Sequence, residues 1–268
     1  ANGTVYVATG GHEDSFIWGF DATNGDLRFQ TPYGNQWSTW YAPVIQGDTL
    51  YMAGGYFGGM YAFSTIDGAQ LWFHSLNQYD QFTPAVRGDR VFAYTGDYTP
   101  ELTVVEAGTG TVIFEIPDPH FDWNGWSMNV SPVLGGLQNV LATQGGRLVS
   151  FDLVNRAIGY EISDHFQGNV TLASGVIYVR NGSAVNARAE ATGSLQWTWA
   201  PPEGAPASTL IATKNILFAS TGTTTYAVDV ATHRQVWSYP AGGTLALTRS
   251  GPLLIAQSSG KLTAISLR

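Results

Sequence analysis

The chain contains no cysteine. That excludes disulfides, thiolate catalysis and cysteine-zinc sites. Lysine occurs only at Lys214 and Lys261. Charged residues make up 12% of the 268, about half the usual share. The net charge of −8 carries no basic run, so nucleic acid is not an expected partner, since phosphate binding needs clustered Lys and Arg. No stretch of 18 apolar residues exists, so no transmembrane helix is expected. Scarce Glu and Lys fit a chain that is nearly all sheet, and 32 Gly and 12 Pro supply its turns.

What is present is a repeat. Phe20-Asp21-Ala22-Thr23-Asn24-Gly25-Asp26-Leu27-Arg28-Phe29 reads as a strand end, a tight turn and the start of the next strand. Relatives of this stretch begin at Phe63, Val105, Phe151, Arg188, Val228 and Ile265. With Asp21, Ser64, Glu106, Asp152, Ala189, Asp229 and Ser266 as equivalents, the intervals are 43, 42, 46, 37, 40 and 37 residues. A period near 40 built from short strands is the signature of a propeller. The expected fold is all-β: one domain over residues 1–268, a seven-bladed β-propeller of four-stranded antiparallel blades. The first repeat starts at its second strand and the last ends at its third. Those two blades are therefore expected to lack one strand each, and the chain is expected to be part of a longer one. The aromatics that follow each turn, Phe29, Trp72, Phe114, Tyr160, Trp197 and Trp237, are expected between neighbouring blades.

The pattern apolar–Asp–Ala–x–Thr–Gly–x–x–x–Trp, closest at Asp21–Gly25 and at Ala191-Thr192-Gly193 with Trp197, resembles the tryptophan-docking repeat of the pyrroloquinoline-quinone-like propellers. That superfamily includes quinoprotein alcohol dehydrogenases and the outer-membrane assembly lipoprotein BamB. The dehydrogenase branch implies eight blades, a vicinal cysteine pair against the quinone (PQQ) and a calcium ion. This chain has seven repeats and no cysteine, so neither PQQ nor calcium is an expected cofactor. The BamB-like branch lacks those requirements, and the resemblance implies members that are usually eight-bladed and lipid-anchored through a cysteine.

Candidate binding residues lie in the connections between blades, which in the first half mix rings with amides and carboxylates. They are 35–41, 77–82, 120–129 and 164–169, whereas 201–208 and 241–244 are small and bland. Rings with a few oriented polar groups suit a ligand pocket. Trp37, Trp40, Tyr41, Tyr79, Phe82, His120, Trp123, Trp126 and His165 are the expected ligand-binding residues, with Asn, Gln and Asp as hydroxyl partners. No catalytic or metal residue is assigned. The function expected is a non-catalytic, extracytoplasmic binding propeller recognising a protein partner or a glycan, either a monomer or part of a multidomain protein. The alternative is a polysaccharide lyase or hydrolase with a His/Asp/Tyr cleft on the same face. A third reading is a purely structural domain of a larger protein, in which the rings plug the channel mouth and pack between blades.

Overall fold

A computed structural model describes residues 1–11, 15–35, 42–78, 80–96, 98–122, 128–129, 131–248 and 251–267. The fold is all-β, a seven-bladed propeller. Blade 1 holds β1 (Thr4–Thr9), β2 (Phe16–Asp21) and β3 (Leu27–Pro32). Blade 2 holds β4 (Val44–Gln46), β5 (Thr49–Ala53), β6 (Met60–Ser64) and β7 (Gln70–His74). The short β8 (Asp80–Gln81) precedes blade 3, which is β9 (Ala85–Arg87), β10 (Arg90–Thr95), β11 (Glu101–Glu106) and β12 (Val112–Pro117). After β13 (Met128–Asn129) comes blade 4, with β14 (Val133–Leu134), β15 (Asn139–Gln144), β16 (Arg147–Asp152) and β17 (Ala157–Ser163). Blade 5 is β18 (Phe166–Ala173), β19 (Val176–Asn181), β20 (Ala184–Ala189) and β21 (Leu195–Trp199). Blade 6 is β22 (Ile211–Ala212), β23 (Ile216–Ser220), β24 (Thr225–Asp229) and β25 (Arg234–Tyr239). Blade 7 is β26 (Thr244–Leu247), β27 (Leu253–Ala256) and β28 (Leu262–Ile265). Blades 1 and 7 thus have three strands, as the repeat count predicts.

The chain divides into two compact units, Ala1–Leu134 with Phe151–Ile158, and Gly135–Ser150 with Gly159–Arg268. In both, the two middle strands of each four-stranded blade are the most apolar and the most buried. In the first unit, Tyr51, Met60, Ala62 and Trp72 of blade 2 pack with Phe82, Val91, Ala93 and Val105 of blade 3. In the second, Tyr178, Val185 and Ala187 of blade 5 pack with Leu217, Ala219, Tyr226 and Val228 of blade 6.

The organising turn has one geometry throughout. Its first residue often carries an oxygen that caps the turn: Asp229 Oδ1 accepts the Ala231 and Thr232 N–H groups at 3.1 and 2.7 Å. Asp152 does the same for Val154 and Asn155. These backbone donors stabilise the carboxylate and hold both groups below the usual carboxylate range. Four residues on, the backbone is left-handed in all six described turns: Gly25, Gly68, Gly110, Arg156, Gly193 and His233. In five of them that residue's N–H donates to the carbonyl of the turn's first residue.

In blades 2 to 6 this residue meets the ring of the preceding blade. A Cβ at Gly68 would stand 2.3 Å from Phe29, one at Gly110 2.7 Å from Trp72, and one at Gly193 2.7 Å from Tyr160. Where the position is not glycine, its side chain becomes the stacking surface. The Arg156 guanidinium lies 4.7 Å from the centre of Phe114, and the His233 ring stacks on Trp197 at 4.6 Å. A bulge just before the ring aims it: the register shifts at Gly19/Phe20, Ala62/Phe63, Val104/Val105, Ala187/Arg188 and Ala227/Val228. The ring then sits across from a small or slim residue, as in Gly19–Phe29, Ala62–Trp72 and Ala187–Trp197.

Tyr160 shows how such a joint responds to pH. Its hydroxyl donates to the Glu190 carbonyl at 2.9 Å. Burial first, and the nearby Glu190 charge, push its pKa from 10.0 up to about 12. The phenol is therefore kept protonated in the fold while it ionises in the unfolded chain. Its stabilisation is complete below pH 10.0 and is lost as the pH rises towards about 12. Urea melts across that window are expected to show a shallower fall in stability for Tyr160→Phe than for the wild type.

Candidate functional site

The connections between blades are fixed at their roots before they reach the candidate aromatics. Blade 1 leaves β3 through Tyr33 and Asn35. Tyr33 donates its hydroxyl to the Thr9 carbonyl at 3.1 Å, and Ser15 Oγ donates to the Asn35 carbonyl at 3.2 Å. Tyr61 of blade 2 donates to the Gly34 carbonyl at 3.1 Å and meets Tyr33 edge-on at 5.6 Å. Burial pushes both phenols above their ordinary pKa, so they serve here as donors.

Blade 2 leaves through Asn77, whose amide donates to the Thr99 carbonyl at 2.9 Å and to Thr95 Oγ1 at 3.3 Å. Blade 3 leaves through Asp118, which is fully buried. Asp118 accepts from the Tyr94 hydroxyl and from the His120 N–H, while Phe121 lies edge-on to Tyr94 at 5.3 Å. Blade 4 leaves through Asp164, which accepts from Asn181 Nδ2 at 2.8 Å and from the His165 N–H at 2.9 Å. The His165 ring and the Asn181 amide hold this carboxyl below the usual range. Asn35, Asn77 and Asp164, expected from sequence as hydroxyl partners for a ligand, therefore have structural work at the base of each connection.

In the first unit these connections are also tied to one another. β8 and β13 pair in parallel, Asp80 with Met128 and Gln81 with Asn129. Thr83 donates its hydroxyl to the Ala42 carbonyl at 3.2 Å, and its N–H to Ser131 Oγ at 3.1 Å. The residues two positions before three consecutive inner strands are thus hydrogen-bonded in series. The backbone that follows Tyr79 runs beside the backbone that follows Trp126 and Ser127.

Of the nine predicted residues, Trp37, Trp40, Tyr41, Tyr79, Trp123 and Trp126 lie outside the described residues. His120 is exposed on the turn after Asp118. His165 is exposed, with Nδ1 3.1 Å from Asp164 Oδ1. Phe82 is a correction. It is 2% exposed and packs among Tyr51, Met60 and Val91 in the blade 2–3 core, out of a ligand's reach. It stands next to the inner strand, where the repeat requires an apolar residue, so its place in an aromatic-rich stretch was misleading. Among the described residues no group of three or more His, Asp or Glu is placed to hold a metal ion.

The sequence family described as outer membrane protein assembly factor BamB matches residues 13–239 and 153–268. The chain belongs to this family. No curated protein sequence matches it significantly. Among solved structures, BamB from Moraxella catarrhalis shares 14% identity at a TM-score of 0.72, covering 96% of this chain and 84% of that one. The computationally designed Ika8 protein shares 13% identity at a TM-score of 0.78, covering 100% and 81%. A europium-containing methanol dehydrogenase shares 9% identity at a TM-score of 0.67, covering 100% and 77%. At these identities the likeness to each solved structure is one of fold. The BamB family match and the dehydrogenase neighbour together bear out the pyrroloquinoline-quinone-like superfamily.

Proposed function

We propose that this chain is a non-catalytic, extracytoplasmic binding propeller that holds a protein partner during outer-membrane protein assembly, through the connections of its first blades. Membership of the BamB family carries the reading. The serial hydrogen bonds Ala42–Thr83–Ser131 and the β8–β13 pairing support it, because they preorganise the chain on either side of the aromatic stretches. A preorganised surface loses less entropy on binding. Tryptophan and tyrosine are the side chains that most often anchor a protein interface.

A photo-crosslinking residue at position 126, introduced in cells, is expected to capture a protein, and Trp123→Ala is expected to remove that adduct. A crosslinker at the exposed Leu195 is the control. The double variant Trp123→Ala/Trp126→Ala is expected to keep the wild-type melting temperature. A large drop in melting temperature would make the rings a structural plug. Calorimetric binding of oligosaccharides, with no protein adduct at position 126, would replace the protein partner with a glycan.

A further inference from the structure

The second residue of the organising turn is uncharged in every repeat but one. It is Ala22, Thr65, Ala107, Leu153, Val230 or Leu267, and in the fifth repeat it is Glu190. Glu190 is 3% exposed. A buried carboxylate is costly unless a positive charge or several donors accompany it. Glu190 Oε1 accepts the Leu137 N–H at 3.1 Å, and among the described residues Glu190 enters no ion pair. One neutral donor leaves most of that cost unmet.

Blade 4 departs from the pattern at the place that faces Glu190. The loop between the first two strands is two residues long in blades 2, 3 and 5, but four in blade 4: Gly135-Gly136-Leu137-Gln138. The loop leads into Asn139, which is 6% exposed. Asn139 Nδ2 donates to Ser150 Oγ at 3.3 Å, while Oδ1 is buried with no hydrogen-bond partner. Gly135 shows where that oxygen is aimed. A Cβ there would stand 1.8 Å from Asn139 Oδ1 and 2.5 Å from Glu190 Oε1. Gly135 is not one of the left-handed glycines, so what the place uses is the missing side chain. Two oxygens, one of them charged, thus converge beside a bare Cα, and they repel unless something positive lies between them. All these residues belong to the second unit.

We propose that Glu190, Asn139 and the 135–138 loop form a binding site for a hard, oxygen-seeking cation, with calcium the best fit. A carboxylate beside an amide oxygen is donor chemistry for calcium, which accepts irregular geometry and completes its shell with water. A single carboxylate sets the affinity low, at about 10⁻⁴–10⁻³ M, the range of extracellular calcium modules. Gly136, Leu137 and Gln138 are exposed, so ion and water enter from the surface. The Glu190 carbonyl receives the Tyr160 hydroxyl, and Gly193 meets the Tyr160 ring. A bound ion therefore ties the blade 4 loop to the blade 5 turn and braces that joint. The site lies at the strand ends away from the connections assigned to the assembly partner, so either reading can fail alone.

The test is calcium added to the intact chain after chelator treatment, followed by thermal melts and calorimetry. At about 10 mM calcium the melting temperature is expected to rise by on the order of 5 °C. Magnesium, which demands a near-ideal octahedron, should raise it less. Glu190→Gln still accepts the Leu137 N–H and loses only the charge, so it should fold and lose the calcium shift. Asn139→Asp adds a second carboxylate and should tighten calcium by at least about tenfold. No shift in the wild type would overturn the proposal, since the Asn139 amide would then be turned to donate to Glu190. An equal shift in Glu190→Gln would overturn it too, by placing the ion at other acids. So would an Asn139→Asp variant that binds no tighter.

Discussion

Trp72→Ala is expected to destabilise the first unit by about 3–5 kcal/mol, the range for truncating a large buried ring. Trp72 is 7% exposed, packs among Tyr51, Met60, Phe82 and Val91, and donates from Nε1 to the Ala107 carbonyl at 2.9 Å. Its truncation removes the transfer energy of the indole and leaves a void bounded by two blades. For a chain of this size the loss corresponds to a fall in melting temperature on the order of 10 °C. Trp72→Phe separates the two contributions. It retains most of the apolar contact, deletes the hydrogen bond and leaves a much smaller void than alanine does. The Ala107 carbonyl still receives the Tyr51 hydroxyl at 3.3 Å, so the cost should lie near the low end of the roughly 0.5–1.5 kcal/mol for one bond. Thermal denaturation of the three proteins checks the order: wild type, then Trp72→Phe, then Trp72→Ala.

Gly110→Val is expected to cost about as much, for a different reason. Gly110 has φ +71°, a left-handed conformation that a β-branched residue tolerates poorly, at roughly 1–2 kcal/mol. Its new Cβ would stand 2.7 Å from the Trp72 ring, which is held by its own hydrogen bond and cannot withdraw. Conformational strain and overpacking together should reach about 3 kcal/mol or more. The pair makes a clean cycle. With Trp72 already alanine, the clash is gone and only the backbone strain remains, so the double variant should lose at least about 1 kcal/mol less than the sum of the singles. Strict additivity in urea melts would mean that ring and turn do not touch in solution.

Much of the fold was legible in the sequence because the repeat is periodic. Asp21, Ser64, Glu106 and their equivalents mark turns of one geometry, and the short inner strands and apolar second strands fall at fixed distances from them. The ring positions were legible for the same reason: each follows the left-handed residue by four. The two non-glycine members of that set were less obvious. Arg156 and His233 break the written motif, yet each fills the place by stacking on Phe114 or Trp197. The connections carry no period, so composition was the only guide there, and composition does not separate a ring facing solvent from one facing the core. Phe82 was misread on that account. Asp118 drew no attention because nothing in sequence distinguishes a buried acceptor for Tyr94 and the His120 N–H from a loop aspartate. The β8–β13 pairing spans two residues per strand, too short to leave an alternation.

The ring-on-turn joint has a consequence for how disruption spreads. Every such contact links one blade to its immediate successor, so cohesion along the chain is a series of nearest-neighbour couplings. A lesion at one link loosens the two sheets that share it and leaves more distant sheets with their own ties intact. A single sheet can therefore depart from the shared pattern while its neighbours keep their shape, as the turns at Arg156 and His233 do.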